Sequence, residues 1–562
     1  MSPDRGDSPS AGPKGFGPAH IDSKKIVEAV KATRDPPPES QESIDSRRWI
    51  VLSFLLIVSL LGLPLWWKTT TVYRSDLPYQ SMYHWDAGNA CDPVFPLQVV
   101  LESPHVPVDQ SQKLLNLAQR ALDELNAFSA HHLRLVDSTQ KSENTVLTVQ
   151  LLPTDAAASP TAVLQPHATS LDIAFAPSLL PSSSATSSSL ASFIADELHN
   201  TFLHEQATIA HMIASSPGSH PSSKPLSPEF LALLEDRKTR AMKYSPTYHL
   251  TFTLLTPTAS PANWEIEAAV HSIINPLVRA LSSVSTFTID TQVQPYAIFS
   301  SSVHPVHNEA QSAWFLDQAE LGAFINAAEW PLSPSIGEGN TINFLLYVPA
   351  PEQTPLYIVP SDATADASSQ LHSWLLPQWG SAYILNLPPS ALSTGTISAK
   401  DLEAPLLSFS THLLALLGLP EEPHKSLPLR LASLRRTLTL SLLHSSASTL
   451  GALARLTQSL PSISIPKPAA ASVAHTLSSL DQACAALKIG DFKEALVKAR
   501  EADIEAERAF FDKSMVGQVY FPDEHKVAVY LPLLGPVAVP LILAFVKEAK
   551  AGVACLKALK GV

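Results

Sequence analysis

The sequence predicts an α/β protein: a large lumenal mixed α/β domain with a helical C-terminal portion, flanked by two transmembrane helices. Three observations predict it. Two uncharged apolar runs lie near the two ends of the chain, β-type apolar runs alternate with helical periodicity between them, and after about Asp401 the pattern turns wholly helical. The order read from these is a disordered cytosolic tail over 1–48, a first span over 49–67, a lumenal α/β domain over 68–400, a lumenal helical region over 401–526, a second span over 527–546 and a basic cytosolic tail over 547–562.

The first 48 residues are rich in Pro, Gly, Ser and charge and hold few large apolar side chains. They lack the apolar area that offsets the entropy of ordering a chain. At 49–67 the run WIVLSFLLIVSLLGLPLWW is uncharged, and as a helix rising about 1.5 Å per residue it covers roughly 28 Å of hydrocarbon. A cleaved signal peptide is the competing reading, but its apolar core is only about 7–15 residues long and ends at small residues. This run instead ends in Trp66, Trp67 and Lys68. Indoles prefer the headgroup layer, so Trp66 and Trp67 are expected to anchor the lumenal end of the span.

Along the middle of the chain, strand-like runs occur at 95–101 (FPLQVVL), 145–152 (TVLTVQLL), 171–175, 248–255 (YHLTFTLL), 287–299 and 342–348. Helical patterns separate them at 111–127, 190–213 and 264–281. Alternation of this kind argues for a mixed sheet in an α/β domain. Two Ser-rich stretches, 182–189 and 215–227, are expected to be surface loops.

In the helical region, the pattern at 402–417 stops at Gly418, with Pro420 just beyond. Leu480, Ala483, Cys484 and Leu487 share one face of a later helix that Gly490 closes. Asp491 then caps a second helix, with Glu494 as its capping-box partner and Phe492, Leu496, Ala499, Ala506 and Phe510 as its apolar stripe. The two form a helical hairpin. The run at 527–546 (VAVYLPLLGPVAVPLILAFV) follows. Its three prolines, Pro532, Pro536 and Pro540, would each cost about 3 kcal/mol inside a soluble helix, which argues against a buried core helix. A bilayer tolerates them when neighbouring groups satisfy the freed backbone.

Lysine and arginine beside the spans set the orientation. Arg47 and Arg48 precede the first, and Lys547, Lys550, Lys557 and Lys560 follow the second, so both termini read as cytosolic. On the other side Asp523, Glu524, His525 and Lys526 show no positive excess and are expected to be a solvated interface cluster, although Lys68 and Arg74 weaken the bias at the first span. The net charge is −13; with a balanced first tail and a final tail of +3, residues 68–526 carry −16. Such an acidic body is poorly suited to nucleic acid or anionic lipid.

Of three cysteines, Cys91 and Cys484 face the lumen in this arrangement and Cys555 the cytosol. A Cys91–Cys484 disulfide is the one lumenal pairing open to the chain. The favoured reading is instead that Cys484 is a small buried residue between Ala483 and Ala485.

Motifs for chemistry are incomplete. His204 and Glu205 resemble the start of a zinc helix, but Thr208 stands where the second histidine belongs, so His199, His204 and His211 are expected to be ordinary surface or core histidines. There is no G-x-S-x-G elbow and no P-loop, and the flanks of Cys91 and Cys484 match no catalytic-cysteine signature. No Asn-x-Ser/Thr sequon occurs, and no metal or cofactor is expected.

Around the spans the sequence becomes distinctive. Residues 62–79 read GLPLWWKTTTVYRSDLPY and residues 509–540 read AFFDKSMVGQVYFPDEHKVAVYLPLLGPVAVP. Between them stand YHLTFTLL, FTIDTQVQPYA, AAEWPL, INFLLYVP and LPQWG in that order. These blocks resemble the PIG-S family, a non-catalytic subunit of the glycosylphosphatidylinositol (GPI) transamidase. The resemblance implies an endoplasmic reticulum membrane protein that supports attachment of GPI anchors to the C-terminus of precursor proteins. It implies partnership with PIG-K, which carries the covalent chemistry, and with GPAA1, PIG-T and PIG-U. A lumenal module that binds precursor protein or GPI lipid is the alternative, and an independent lumenal hydrolase a weaker one.

Overall fold

The structure is a computed structural model of the whole chain. It describes residues 40–62, 64–65, 68, 73–126, 130–142, 144–154, 159–215, 228–298, 303–317, 321, 339–359, 371–388, 395–419, 426–460, 463–515 and 523–559. They fall into two units, residues 1–72 with 520–562, and residues 73–519. The expected disordered tail lies outside the described residues up to position 39. Helix α1 (Gln41–Ile57) opens on Ser40, whose hydroxyl accepts the Ser43 N–H, and runs on into a π-helical turn over Val58–Gly62.

In the second unit, α2 (Tyr79–Asp86) leads to β1 (Phe95–Glu102), α3 (Val108–Leu125), β2 (His131–Asp137), β3 (Thr145–Pro153), β4 (Thr161–Leu164), β5 (Ser170–Phe175) and α4 (Ser189–Ala214). The strands form a sheet in the order β2-β1-β3-β5-β4, parallel except at β4. Parallel strands are covered on both faces and read as continuous apolar runs, as FPLQVVL and TVLTVQLL do. Val99 of β1 is in register with Leu135 on one side and Leu147 on the other. The first Ser-rich stretch is a loop whose Ser188 becomes the N-cap of α4, accepting the Ala191 N–H. Most of the second lies outside the described residues.

The chain continues through α5 (Pro228–Arg240), β6 (Thr247–Thr256), β7 (Asn263–Trp264), α6 (Ile266–Ala269), α7 (Asn275–Leu281), β8 (Thr286–Pro295), β9 (Val306–Asn308) and β10 (Ala313–Asp317). Then follow β11 (Asn340–Tyr347), β12 (Leu356–Val359), β13 (Ser373–Leu376), β14 (Gly380–Ile384), β15 (Thr396–Ile397) and α8 (Glu403–Leu416). A second five-stranded sheet has the order β13-β14-β11-β6-β8, and small sheets β12-β10-β9 and β15-β7 accompany it. Phe252 of β6, Phe344 of β11 and Phe409 of α8 pack as a triad with ring centroids 5.0–6.2 Å apart. A separate core joins Leu345 and Tyr347 to Leu316, Leu356 and Ile358.

Two expectations change here. The expected mixed sheet is divided into two five-stranded sheets and two small ones, because strand order depends on pairing partners that no local pattern encodes. The helix expected from Trp264 begins at Ile266, since Trp264 pairs with Ile397 in β7. Between α6 and α7 the chain makes a π turn over Val270–Ile274. Pro276 follows it, and a proline lacks the N–H for the regular ladder and crowds the carbonyl four residues back, which the wider turn accommodates.

Beyond α8, which stops at Gly418 with φ +81°, come α9 (Leu427–Ser459), α10 (Lys467–Ile489) and α11 (Phe492–Phe510). Gly490 takes φ +80° and closes α10, and the Asp491 side chain accepts the Glu494 N–H at 3.1 Å to open α11. These helices share a core with the first sheet: Leu443, Leu450, Leu487 and Leu496 cluster with Phe95, Val99, Leu147 and Ile173. The Phe95 and Phe492 rings stack at 6.2 Å.

Cys91 and Cys484 form a disulfide, with Cα atoms 6.1 Å apart, so the favoured reading, in which Cys484 is simply a small buried residue and not a bridge partner, is corrected. Cys484 is also buried, at 6% exposure, as that reading required. Packing of α10 against the segment before β1 places both cysteines within bridging distance.

Helix α12 (Asp523–Leu559) returns to the first unit. Its stretch Ala528–Lys550 has a mean hydropathy of 2.2 and none of its side chains is buried, and it is the one helix among the described residues long and apolar enough to cross a membrane. All three prolines lie inside it.

Candidate functional site

A cavity of about 1190 Å³ in the second unit opens between the ends of α2 and α4, helix α5 and the middle of α9. Leu231, Met212, Leu434 and Leu438 contribute to an apolar wall, and Asp86, Glu235 and Lys238 supply charge. Cys91 lines one side, so the disulfide fixes that wall. Asp86 is held by Arg455 at 2.5 Å. His444, also in the wall, has its pKa lowered from the usual imidazole value because burial disfavours the cation. The arrangement suits a largely apolar ligand.

The residues of α4 that resemble a zinc helix are used otherwise. His211 lines the cavity. Glu205 turns into the core, 7% exposed, and accepts hydrogen bonds from Arg436 of α9, Nε to Oε1 at 2.5 Å and the terminal NH2 nitrogen to Oε2 at 2.7 Å. His131 Nε2 of β2 lies 3.6 Å from Oε1. The Arg436 guanidinium sits 5.3 Å from the centroid of the Phe492 ring on α11. Burial pushes the Glu205 carboxyl up, but Arg436, and to a smaller extent His131, overcome it and hold the group well below the usual carboxylate range. Among the described residues no group of His, Cys, Asp and Glu is placed to hold a metal.

A serine–histidine pair is present elsewhere. Ser381 Oγ of β14 and His412 Nδ1 of α8 are 2.5 Å apart. Ser381 has no exposed surface, so a substrate carbonyl cannot reach it in this conformation; the bond ties β14 to α8. His249 Nδ1 and Thr288 Oγ1 make a similar contact at 2.5 Å between β6 and β8. Sequence reasoning passed over both pairs, and no motif surrounds them.

Of the expected interface anchors, Arg47 and Arg48 lie on α1, Lys547 on α12, and Asp523, Glu524 and His525 in the first turn of α12. Trp66 and Trp67 lie outside the described residues. Arg48 Nε donates to Glu548 Oε2 at 2.9 Å, joining the basic-flanked ends of the two apolar stretches side by side. Arg74, which weakens the charge bias at the expected first span, is spent within the second unit. Its guanidinium donates to the carbonyls of Thr457, Leu460 and Ile463 at 2.6–3.1 Å. It thereby satisfies groups that the end of α9 leaves without helical partners.

Comparison with known proteins adds a family. The family model described as phosphatidylinositol-glycan biosynthesis class S protein, PIG-S, matches residues 53–554. A protein of Rattus norvegicus named GPI-anchor transamidase component PIGS is 30% identical over 531 residues, covering 88% of this chain and 94% of its own. The Homo sapiens protein of that name is 29% identical over 552 residues, with the same coverage. A Schizosaccharomyces pombe protein named GPI transamidase component PIG-S homolog is 29% identical over 512 residues, 90% of this chain and 84% of its own.

Proposed function

The chain belongs to the PIG-S family, and from that premise we propose that it is a non-catalytic scaffold subunit of the GPI transamidase, supporting attachment of GPI anchors to the C-terminus of precursor proteins. The extent of the match carries the reading: residues 53–554 take in most of both apolar runs and the whole body between them. A non-catalytic role is supported by where the reactive side chains lie. Glu205 is neutralised by Arg436, and Ser381, the serine of the serine–histidine pair, has no exposed surface.

The proposed placement is the endoplasmic reticulum membrane, with two spans, both termini cytosolic and the acidic body lumenal. The exposed apolar surface of α12 supports one span, and the Arg48–Glu548 pair supports an antiparallel neighbour whose basic end lies on the same side. Arg47, Arg48 and Lys547 are then cytosolic interface anchors, and Trp66, Trp67, Asp523, Glu524 and His525 lumenal ones. PIG-K, GPAA1, PIG-T and PIG-U are the proposed partners. Gly535, where an added Cβ would meet nothing within 4 Å, offers close approach to a partner helix.

Depleting the protein should leave GPI precursors unprocessed, while the purified chain cleaves no peptide; normal anchor attachment after depletion would overturn the reading. A second role, direct capture of precursor or GPI lipid, is favoured by the cavity beside α9. Photo-crosslinking groups at Leu434 and Leu438 would then capture precursor, and crosslinks to other subunits alone would exclude it.

A further inference from the structure

Strand β8 is the outer strand of the second sheet, paired with β6 on one side and with no described strand on the other. The Thr286 N–H donates to the Pro246 carbonyl at 2.9 Å, which sets the phase of the ladder. In parallel pairing, successive residues direct their main-chain groups to opposite sides. Thr288, Asp290, Gln292 and Gln294 therefore face β6, whereas Phe287, Ile289, Thr291 and Val293 aim N–H and C=O outward.

Proteins shield such edges with short strands, lysines, prolines or bulges. The other outer strands of the two large sheets follow that practice: β13 and β4 have four residues each, and β2 has seven and carries Arg134. β8 has ten residues, pairs with β6 without a register break, carries a single charge, Asp290, and has a proline only at its last position, Pro295, beyond the four outward-facing residues. Where it ends, Val293, Tyr296 and Ile298 are exposed, Tyr296 at 69%. A second copy of this chain is a poor cover in the one antiparallel register that pairs all four outward residues with one another. Two β8 strands paired antiparallel about the middle of 287–293 set Asp290 against Asp290, and like charges directly opposite destabilise a pair.

We propose that β8 is covered by an extended strand of about seven residues from another protein of the assembly, added through main-chain hydrogen bonds, with an uncharged or basic side chain opposite Asp290. The proposal rests on the subunit reading above. Amide hydrogen exchange, resolved by residue, is compared between the isolated full-length chain in detergent and the transamidase complex purified through a tag on it. The amides of Phe287, Ile289, Thr291 and Val293 should exchange rapidly in the isolated chain and at least about 100-fold more slowly in the complex, with those of Thr288, Asp290, Gln292 and Gln294 slow in both.

A complex with its other subunits identified by mass but with the four outward amides still fast would overturn the proposal alone. Failure of any other subunit to co-purify would remove the subunit reading and the proposal with it. Protection that rises with concentration in the isolated chain would make the cover a second copy and also overturn it. Thr291→Pro deletes an outward N–H and no bond to β6. Recovery of the other subunits should fall at least about tenfold while the inward amides stay protected; unchanged recovery contradicts the proposal.

Discussion

Glu205 and Arg436, 231 residues apart in sequence, meet as a doubly hydrogen-bonded ion pair in the core of the second unit. The carboxylate comes from α4 and the guanidinium from α9, with β2 and α11 supplying the imidazole and the aromatic ring around them. Four elements distant in sequence are thus held at one point.

Removing one partner leaves the other charge buried, which typically costs about 3–5 kcal/mol, whereas replacing both with apolar groups of similar size is close to neutral. Arg436→Met should therefore lower the thermal midpoint of the full chain, followed by tryptophan fluorescence in detergent. Adding Glu205→Met should recover most of the loss. Equal midpoints for Arg436→Met and the native chain would show the pair to be inert.

The same pair makes stability depend on pH. In the folded chain the Glu205 carboxyl sits below its ordinary value of 4.5, so its stabilisation is complete above that value and drains away as pH falls towards the folded one. Between about pH 5 and 3, the native midpoint should fall more steeply than that of the Glu205→Met/Arg436→Met chain. Parallel slopes would remove Glu205 from the account.

The Cys91–Cys484 bridge closes a loop across 393 positions. Bridges that close long loops restrict the unfolded chain most, and losing one commonly costs about 2–5 kcal/mol. Cys91→Ala with Cys484→Ala should lower the thermal midpoint, and a reductant should then have no further effect. In the native chain non-reducing peptide mapping should recover the two peptides joined; free thiols at both positions would end the assignment.

Cysteine chemistry also tests the proposed topology. In sealed microsomes, a membrane-impermeant maleimide should label Cys555 without permeabilisation. Arg48→Cys should be labelled as well, giving a second product. Labelling of either only after detergent would reverse the orientation.

Much of the fold was legible because its signals are local. The apolar runs of β1, β3 and β6, the left-handed glycines at 418 and 490 and the Asp491 cap each act within a few residues. What escaped the sequence is non-local. Neither the division into two sheets nor the meeting of Glu205 with Arg436 leaves a mark in a short window, and the favoured reading of Cys484 failed because burial and bridging are compatible. Trp264 was misread because an aromatic before an amphipathic pattern looks like a helix start until β15 supplies its partner. Among the expected anchors, Arg48 showed its charge in the sequence but not its partner, Glu548.

The shared core of β1–β5 with α9–α11 also has a temporal side. During synthesis at about 5–20 residues per second, α9 begins roughly two hundred residues after α4 ends, so the early strands wait some ten to forty seconds for the helices that complete their shelter. Through that interval the nascent sheet exposes apolar surface and should depend on a holding chaperone. Slowing the ribosome over the intervening stretch should lengthen that dependence.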